Sequence, residues 1–416
     1  MRAARSSRLS VATVVLAGAA FVIFAAILSL QAFTEYYFQQ KGDLKSLQRA
    51  ARIQPLNAET EENIGSSLLS AVYSNPGGAA VHLRRAVELD PHSSRAWRYL
   101  ADAYDQLGDS NRRDGAIRQA LAVDPKDTEV QWEAANLFVN TDLDDSLRLF
   151  RDVIQQSDKY APAAIQVAYT ASGGDIDKTM LAVPPTTGAR LQLIKWLLND
   201  NHFEAADRVW PTVVAADGEL HPRDTFPYFD SLVERHQVRQ AELVWSGLAQ
   251  KNKALRASAS PGNLINNGDF ETELLNGGFG WRYSPIAGVN ATLDTSTFHS
   301  GTRSLAMQID AENLANCGMT ELVPVEPGAR YRLTAYAHAE ELEAAHGIRV
   351  SVSDAYSHAD LLLSDEMEGS FPWREVGGDF EVPAGTELVK IAFVRSPSTG
   401  IIRGRLWVDD ISMEKK

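Results

Sequence analysis

The chain has 416 residues, enough for two or three domains of ordinary size. Hydrophobic residues at 44% and charged residues at 23% exclude wholesale disorder and collagen-like or low-complexity chains. A single cysteine, Cys317, excludes an internal disulfide framework. The net charge of −14 argues against a general nucleic-acid binder, which needs clustered Lys and Arg. The charge is uneven: +3 over residues 1–34, and −11 over residues 261–416, where 12 basic side chains face 23 acidic ones. Separate segments are therefore expected to meet separate surroundings.

Residues 9–34 carry no charge and are apolar almost throughout, long enough to cross a bilayer as one helix. Arg2, Arg5 and Arg8 precede the run, so the positive-inside rule places a short tail, residues 1–8, in the cytoplasm and exports the rest. Phe33, Tyr36, Tyr37 and Phe38 follow as an interfacial aromatic belt. A cleaved signal peptide is the alternative, but its apolar stretch is normally shorter and ends in small residues, whereas Leu28, Leu30 and Phe33 are bulky. The expected location is a bacterial inner membrane, single-pass, with the bulk of the chain periplasmic.

Residues 40–255 show repeats. Ala50, Ile53 and Pro55 recur as Ala86, Leu89 and Pro91 and again as Ala120, Val123 and Pro125. With Trp97, Leu100, Ala101, Tyr104 and Gly108 between them, this spacing resembles the tetratricopeptide (TPR) family, which implies helix–turn–helix units stacked into an all-α solenoid. Ala206, Val209 and Trp210 recur as Ala241, Val244 and Trp245, extending the array past an interruption near Gly173–Gly188. Such arrays hold a protein partner. The aromatics at these positions are expected to fill the inter-helix core, and exposed Arg84, Arg85, Arg112 and Arg113 either to hold an acidic tail or to form a solvated helix face.

After a linker at 256–262, helical periodicity gives way to short alternating strands with Pro/Gly turns, the pattern of an all-β jelly-roll sandwich over 263–416. Asn263–Glu271, Gly280-Trp281, the His299–Leu305 segment and the closing Leu406–Ile411 run resemble the carbohydrate-binding modules and galactose-binding-like sandwiches. That resemblance implies a structural Ca2+ held by Glu271, Asp410 and Asp269. Hard carboxylate oxygens from both ends of the sandwich are sound ligands for that ion. It also implies a glycan face. Strand alternation puts Tyr336 and His338 outside and Tyr331, Leu333, Ala335 and Ala337 inside. Tyr336, His338 and Arg349 are the expected sugar-binding residues, ahead of Tyr283, Tyr356 and Trp407, while Trp281 and Trp373 occupy structural positions. No nucleophile elbow, phosphate loop or His-Glu-x-x-His motif occurs, and Cys317 reads as a small buried hydrophobe. The expectation is a non-enzymatic scaffold in polysaccharide assembly or export, or else a pure protein adaptor whose sandwich binds no sugar.

Overall fold

The computed structural model describes residues 3–216, 218, 220–252, 255 and 262–416, without the side chains of residues 3–12, 35, 38 and 39. The expected linker at 256–262 lies outside the described residues except for Gly262, as do residues 1–2 of the expected tail. The chain divides into two compact units, Met1–Pro184 and Pro185–Lys416.

The first unit opens with helix α1, Ala3–Lys41. Its segment Thr13–Thr34 is long and apolar enough to cross a membrane, and its side chains pack against almost nothing. The helix outlasts the apolar run because no breaker occurs before Gly42, whose φ of +61° ends it. The Asp43 carboxylate then accepts the amide of Ser46 (3.0 Å) and caps α2, Leu44–Ile53. Helix pairs follow: α3 (Ala58–Leu69) with α4 (Pro76–Leu89), α5 (Ser94–Gln106) with α6 (Ser110–Val123), and α7 (Thr128–Phe138) with α8 (Leu143–Gln156). The pairs recur at the spacing read from the prolines. Asn57, Ser93 and Asp127 each cap the first helix of a pair through a side-chain oxygen. Ala86, Leu100, Ala101, Ala120 and Tyr104 are all buried between helices, whereas Ile53 of the first unit is 47% exposed. Arg113, expected to be exposed, is largely covered and pairs with Asp105 (3.0 Å) and Asp114 (2.8 Å), while exposed Arg85 pairs with Glu88 and exposed Arg112 with Asp109. After α9 (Ala161–Ala171), the interruption is a one-turn helix, α10 (Ile176–Thr179), and a 3-10 turn at Met180–Ala182.

The second unit begins with two more helix pairs, α11 (Thr187–Asn199) with α12 (Phe203–Ala215) and α13 (Pro222–Glu234) with α14 (Val238–Lys251). Leu197 and Leu232 are buried equivalently, and so are Ala206 and Ala241. The last pair, α13 and α14, packs directly on the sandwich. Phe279 sits edge-on to Phe229 (4.6 Å) and Trp245 (5.9 Å), Arg282 pairs with Asp230 (2.8 Å), and Tyr356 stacks on His236 (3.8 Å).

The sandwich has two five-stranded antiparallel sheets. One runs β1 (Arg282–Tyr283), β4 (Asn316–Pro324), β9 (Leu388–Val394), β6 (Arg349–Asp354), β7 (Asp360–Leu363). The other runs β2 (Val289–Asp294), β3 (Ser304–Glu312), β10 (Ile401–Lys415), β5 (Arg330–Ala344), β8 (Gly369–Glu381). Their inner faces share one core, with Trp281, Phe270, Phe393, Leu333 and Leu406 fully buried. The opening and closing segments are tied to each other. Asn263 accepts the Met413 amide (2.9 Å) and donates to the Ile411 carbonyl (3.1 Å), while Gly268 accepts the Ile411 amide (2.8 Å). A Cβ on Gly268 would lie 2.0 Å from the Ile411 oxygen, so only glycine permits this approach.

Candidate glycan-binding face

On β5 the two-residue alternation holds: Tyr331, Leu333, Ala335 and Ala337 are buried, while Thr334, Tyr336 and His338 face outward, half-buried. The neighbouring strands bring further rings to that outer face. In register, His338 lies opposite Trp407 of β10, and Tyr336 lies opposite Glu375 of β8. His338 stacks on Trp407 (5.1 Å between centroids) and touches Trp373 (5.6 Å). His299, from the loop before β3, lies flat on Tyr336 (3.7 Å) and reaches Trp373 (5.7 Å). Five aromatic side chains thus form a continuous strip across three strands and one loop.

The strip is held in place by hydrogen bonds. Trp407 is only 4% exposed and donates its indole N–H to Asp294 (2.7 Å), which makes it the floor of the strip. The His338 Nδ1 lies 2.6 Å from the Phe371 carbonyl, which fixes the ring's tautomer as the Nδ1–H form when neutral. Around the rings lie fixed polar groups. The Arg405 guanidinium covers Trp407 (5.2 Å) and donates to Glu340, and Arg332 pairs with Glu375 (2.9 Å) and Asp379 (3.3 Å). Rings partly open to solvent, with planar charged groups at their edges, are what a sugar needs: stacking on its C–H face and hydrogen bonds to its hydroxyls.

Tyr336 and His338 are therefore brought together, and Arg349 is not. It lies on the other sheet, donating to the Ser364 carbonyl (2.7 Å) and to Glu366 (2.8 Å). Tyr356 donates to the Val233 carbonyl (3.0 Å) and Tyr283 to the Val289 carbonyl (3.2 Å), so both rings brace the fold away from the strip. Trp281 is buried in the core, whereas Trp373, expected to be structural, stands half-buried on the strip. His299, Asp294 and Arg405 escape sequence reasoning, because only cross-strand register and a loop excursion place them here.

Two of the three expected metal residues, Glu271 and Asp410, bond the turn that carries His299. Glu271 accepts three hydrogen bonds, from the Thr302 amide (2.6 Å), the Thr302 hydroxyl (2.5 Å) and the Arg303 amide (3.0 Å). The Thr302 bonds, hydroxyl first, hold its carboxyl below the ordinary carboxylate range. Asp410 accepts from the Ser300 hydroxyl (2.9 Å) and lies 2.6 Å from His299 Nδ1. Asp269 accepts the Glu271 amide (3.4 Å). The neighbouring Asp409 is fully buried and accepts the amides of His299 (2.8 Å) and Ser300 (3.1 Å). Burial pushes its carboxyl up to about 6 in spite of those bonds. A bulge between Asp409 and Ser412, with Asp410 at a φ of +47°, turns both consecutive aspartates onto one loop. Glu271 and Asp410 are hard oxygen donors, the type calcium takes, but N–H and O–H donors of the turn already bond them. Among the described residues no group of three or more His, Cys, Asp or Glu side chains is placed to hold a metal ion.

Residues 262–399 match the sequence model of a family described as carbohydrate binding domain. The sandwich is a domain of that kind. Similar solved structures include one described as "CBM4 structure and function" (15% identity, 36% of this chain and 99% of that chain, TM-score 0.29). Another is the CBM22-1 xylan-binding domain of Paenibacillus barcinonensis Xyn10C (12% identity, 35% and 90%, TM-score 0.25). A third is Pseudomonas aeruginosa PilF (16% identity, 49% and 97%, TM-score 0.26). No curated protein matches the chain. The chain joins repeated helix pairs to a sandwich that matches a carbohydrate-binding-domain family model over residues 262–399.

Proposed function

We propose that the protein is a membrane-anchored, non-catalytic scaffold. Thr13–Thr34 is its single span in an inner membrane, the helical repeats hold a protein partner on the periplasmic side, and the sandwich holds a glycan during cell-surface polysaccharide assembly or export. The observation that carries the glycan half is the strip His299–Tyr336–Trp373–His338, partly open and ringed by Arg332, Arg405, Glu340 and Glu375. The excess of acid on the sandwich disfavours strongly anionic glycans. Calcium belongs to the same proposal. Glu271 and Asp410 would hold it, and the ion would add a further link between the two ends of the sandwich.

Affinity electrophoresis of the full chain in detergent against neutral envelope and plant polysaccharides tests this reading. Retention is expected, and Trp373→Ala is expected to weaken it on the order of tenfold, the loss of one stacking surface. Retention by no polysaccharide sinks the glycan half. It would leave the second reading, an adaptor whose sandwich packs on α13–α14, a reading favoured by the Phe279–Phe229–Trp245 contact. For calcium, EDTA is expected to lower the melting temperature and Glu271→Ala to abolish that sensitivity. A wild-type melt indifferent to EDTA removes the ion from the proposal.

A further inference from the structure

The segment after the apolar run has the composition of a membrane-surface element. Residues 41–56 contain Lys41, Lys45, Arg49 and Arg52 against the single acid Asp43, in a chain that is otherwise acidic. Lys45, Arg49 and Arg52 are exposed on α2, whose opposite side buries Ser46, Leu47 and Ala50. The exposed bases run continuously into exposed apolar side chains at the corner between α2 and α3, Ile53 at 47% and Leu56 at 73%.

The backbone decides where that corner lies. After Gly42 the chain reverses, and α2 runs back along α1 until Ile53, Pro55 and Leu56 share a depression with Ile27, Leu30 and Gln31. The lengths agree: α2 rises about 14 Å from Leu44 to Ile53, and α1 rises about 16 Å from Leu30 to Lys41. Ile27 and Leu30 belong to the apolar stretch Thr13–Thr34. Leu30 lies about 10 Å along the helix from the middle of that stretch, inside a hydrocarbon half-thickness of about 15 Å. A bilayer that covers Thr13–Thr34 therefore also meets the α2–α3 corner.

We propose that α2 and the α2–α3 corner form a second, interfacial contact with an anionic lipid surface: Ile53 and Leu56 enter the acyl boundary while Lys45, Arg49 and Arg52 lie against headgroup phosphates. The helix end nearest the membrane is apolar, and the long basic side chains above it reach up to the headgroups by snorkelling. Charge complementarity favours an anionic leaflet, with Glu59 the one exposed acid beside the corner. The contact restricts how α1 leaves the membrane and how the first repeats are presented. This inference rests on the anchor reading above.

The test uses the full chain in nanodiscs of phosphatidylcholine with about one-third phosphatidylglycerol, an anionic surface that attracts basic segments. An environment-sensitive fluorophore is placed singly at Leu56→Cys, at Val22→Cys within the span and at exposed Leu107→Cys; native Cys317 is buried and stays unlabelled. Doxyl-labelled lipid is expected to quench Val22→Cys and Leu56→Cys, the latter at least ~3-fold more than Leu107→Cys. The triple variant Lys45→Glu, Arg49→Glu, Arg52→Glu is expected to return Leu56→Cys to the Leu107 level. Quenching at Val22 with none at Leu56 overturns the interfacial contact and leaves the anchor standing. Absence of quenching at Val22 overturns the anchor, and this contact with it. Quenching at Leu56 that is indifferent to the triple variant and to phosphatidylglycerol overturns the anionic-lipid assignment.

Discussion

Gly301→Ala probes the turn on which the sandwich's two ends and its aromatic strip depend. Gly301 has a φ of +65°, and a Cβ there would lie 2.2 Å from Glu271 Oε1 and 2.8 Å from its Cδ. Alanine in the left-handed region costs about 1 kcal/mol. The Glu271 carboxylate must also swing away, giving up the two Thr302 bonds and the Arg303 amide. Charge-assisted bonds contribute about 1.5–3 kcal/mol each when buried; because Glu271 is half-exposed and water replaces part of the loss, roughly 2 kcal/mol in all is a fair figure. The sum, about 3 kcal/mol, lowers the melting temperature of a unit this size by roughly 6–12 °C. Glu271→Ala removes the bonds without the backbone strain and should cost about 2 kcal/mol. The double variant, with nothing left to clash, should cost about 3 kcal/mol rather than the sum of the singles, about 5. The assay is denaturation of the full chain followed by near-ultraviolet circular dichroism, in EDTA so that calcium plays no part. A Gly301→Ala melt within a degree of wild type, or strict additivity in the double variant, refutes the clash and the role of Glu271 as the clamp.

Two further outcomes follow from buried groups. Burial alone pushes the Asp354 carboxyl up, but bonds from the Thr386 hydroxyl (2.6 Å) and the Ser357 (2.6 Å) and Tyr356 (2.9 Å) amides outweigh it and lower it to about 2. Its folded value lies below the unfolded one, so the stabilisation is complete above about pH 5 and is lost as pH falls toward 2, amounting to about 2 kcal/mol after screening. Urea denaturation from pH 6 down to pH 2.5 should show that loss, and Asp354→Asn should flatten it; an unchanged slope in the variant counts against the assignment. Cys317 is fully buried, and burial pushes its thiol up to about 12. It should not react with a disulfide reagent in the folded chain and should react stoichiometrically in guanidinium. Prompt reaction under native conditions would mean that the β4 core opens.

Much of this architecture is legible along the chain, because local rules decide it. Proline spacing and small-residue positions place the helix pairs, since Ala86, Ala101 and Ala120 do the same packing work in each. Two-residue alternation sorts Tyr336 and His338 from Tyr331 and Leu333 without knowledge of the partner strands. Residues 40–255 read as one array by period, yet the compact units divide at Pro184, after the one-turn helix and 3-10 turn that follow α9. The aromatic strip depends on facts no single strand contains. Register sets Trp407 against His338, a loop lays His299 on Tyr336, and Arg349 falls on β6, a strand of the opposite sheet. The clamp was half visible. Glu271 and Asp410 stood out as carboxylates at the two ends of the module, but Asp409 shares their work only because a bulge turns two consecutive aspartates onto one turn. Alternation and period are properties of one segment and can be read from it. Register, bulges and loop placement are set by which segments meet, and those meetings exist only in the folded chain.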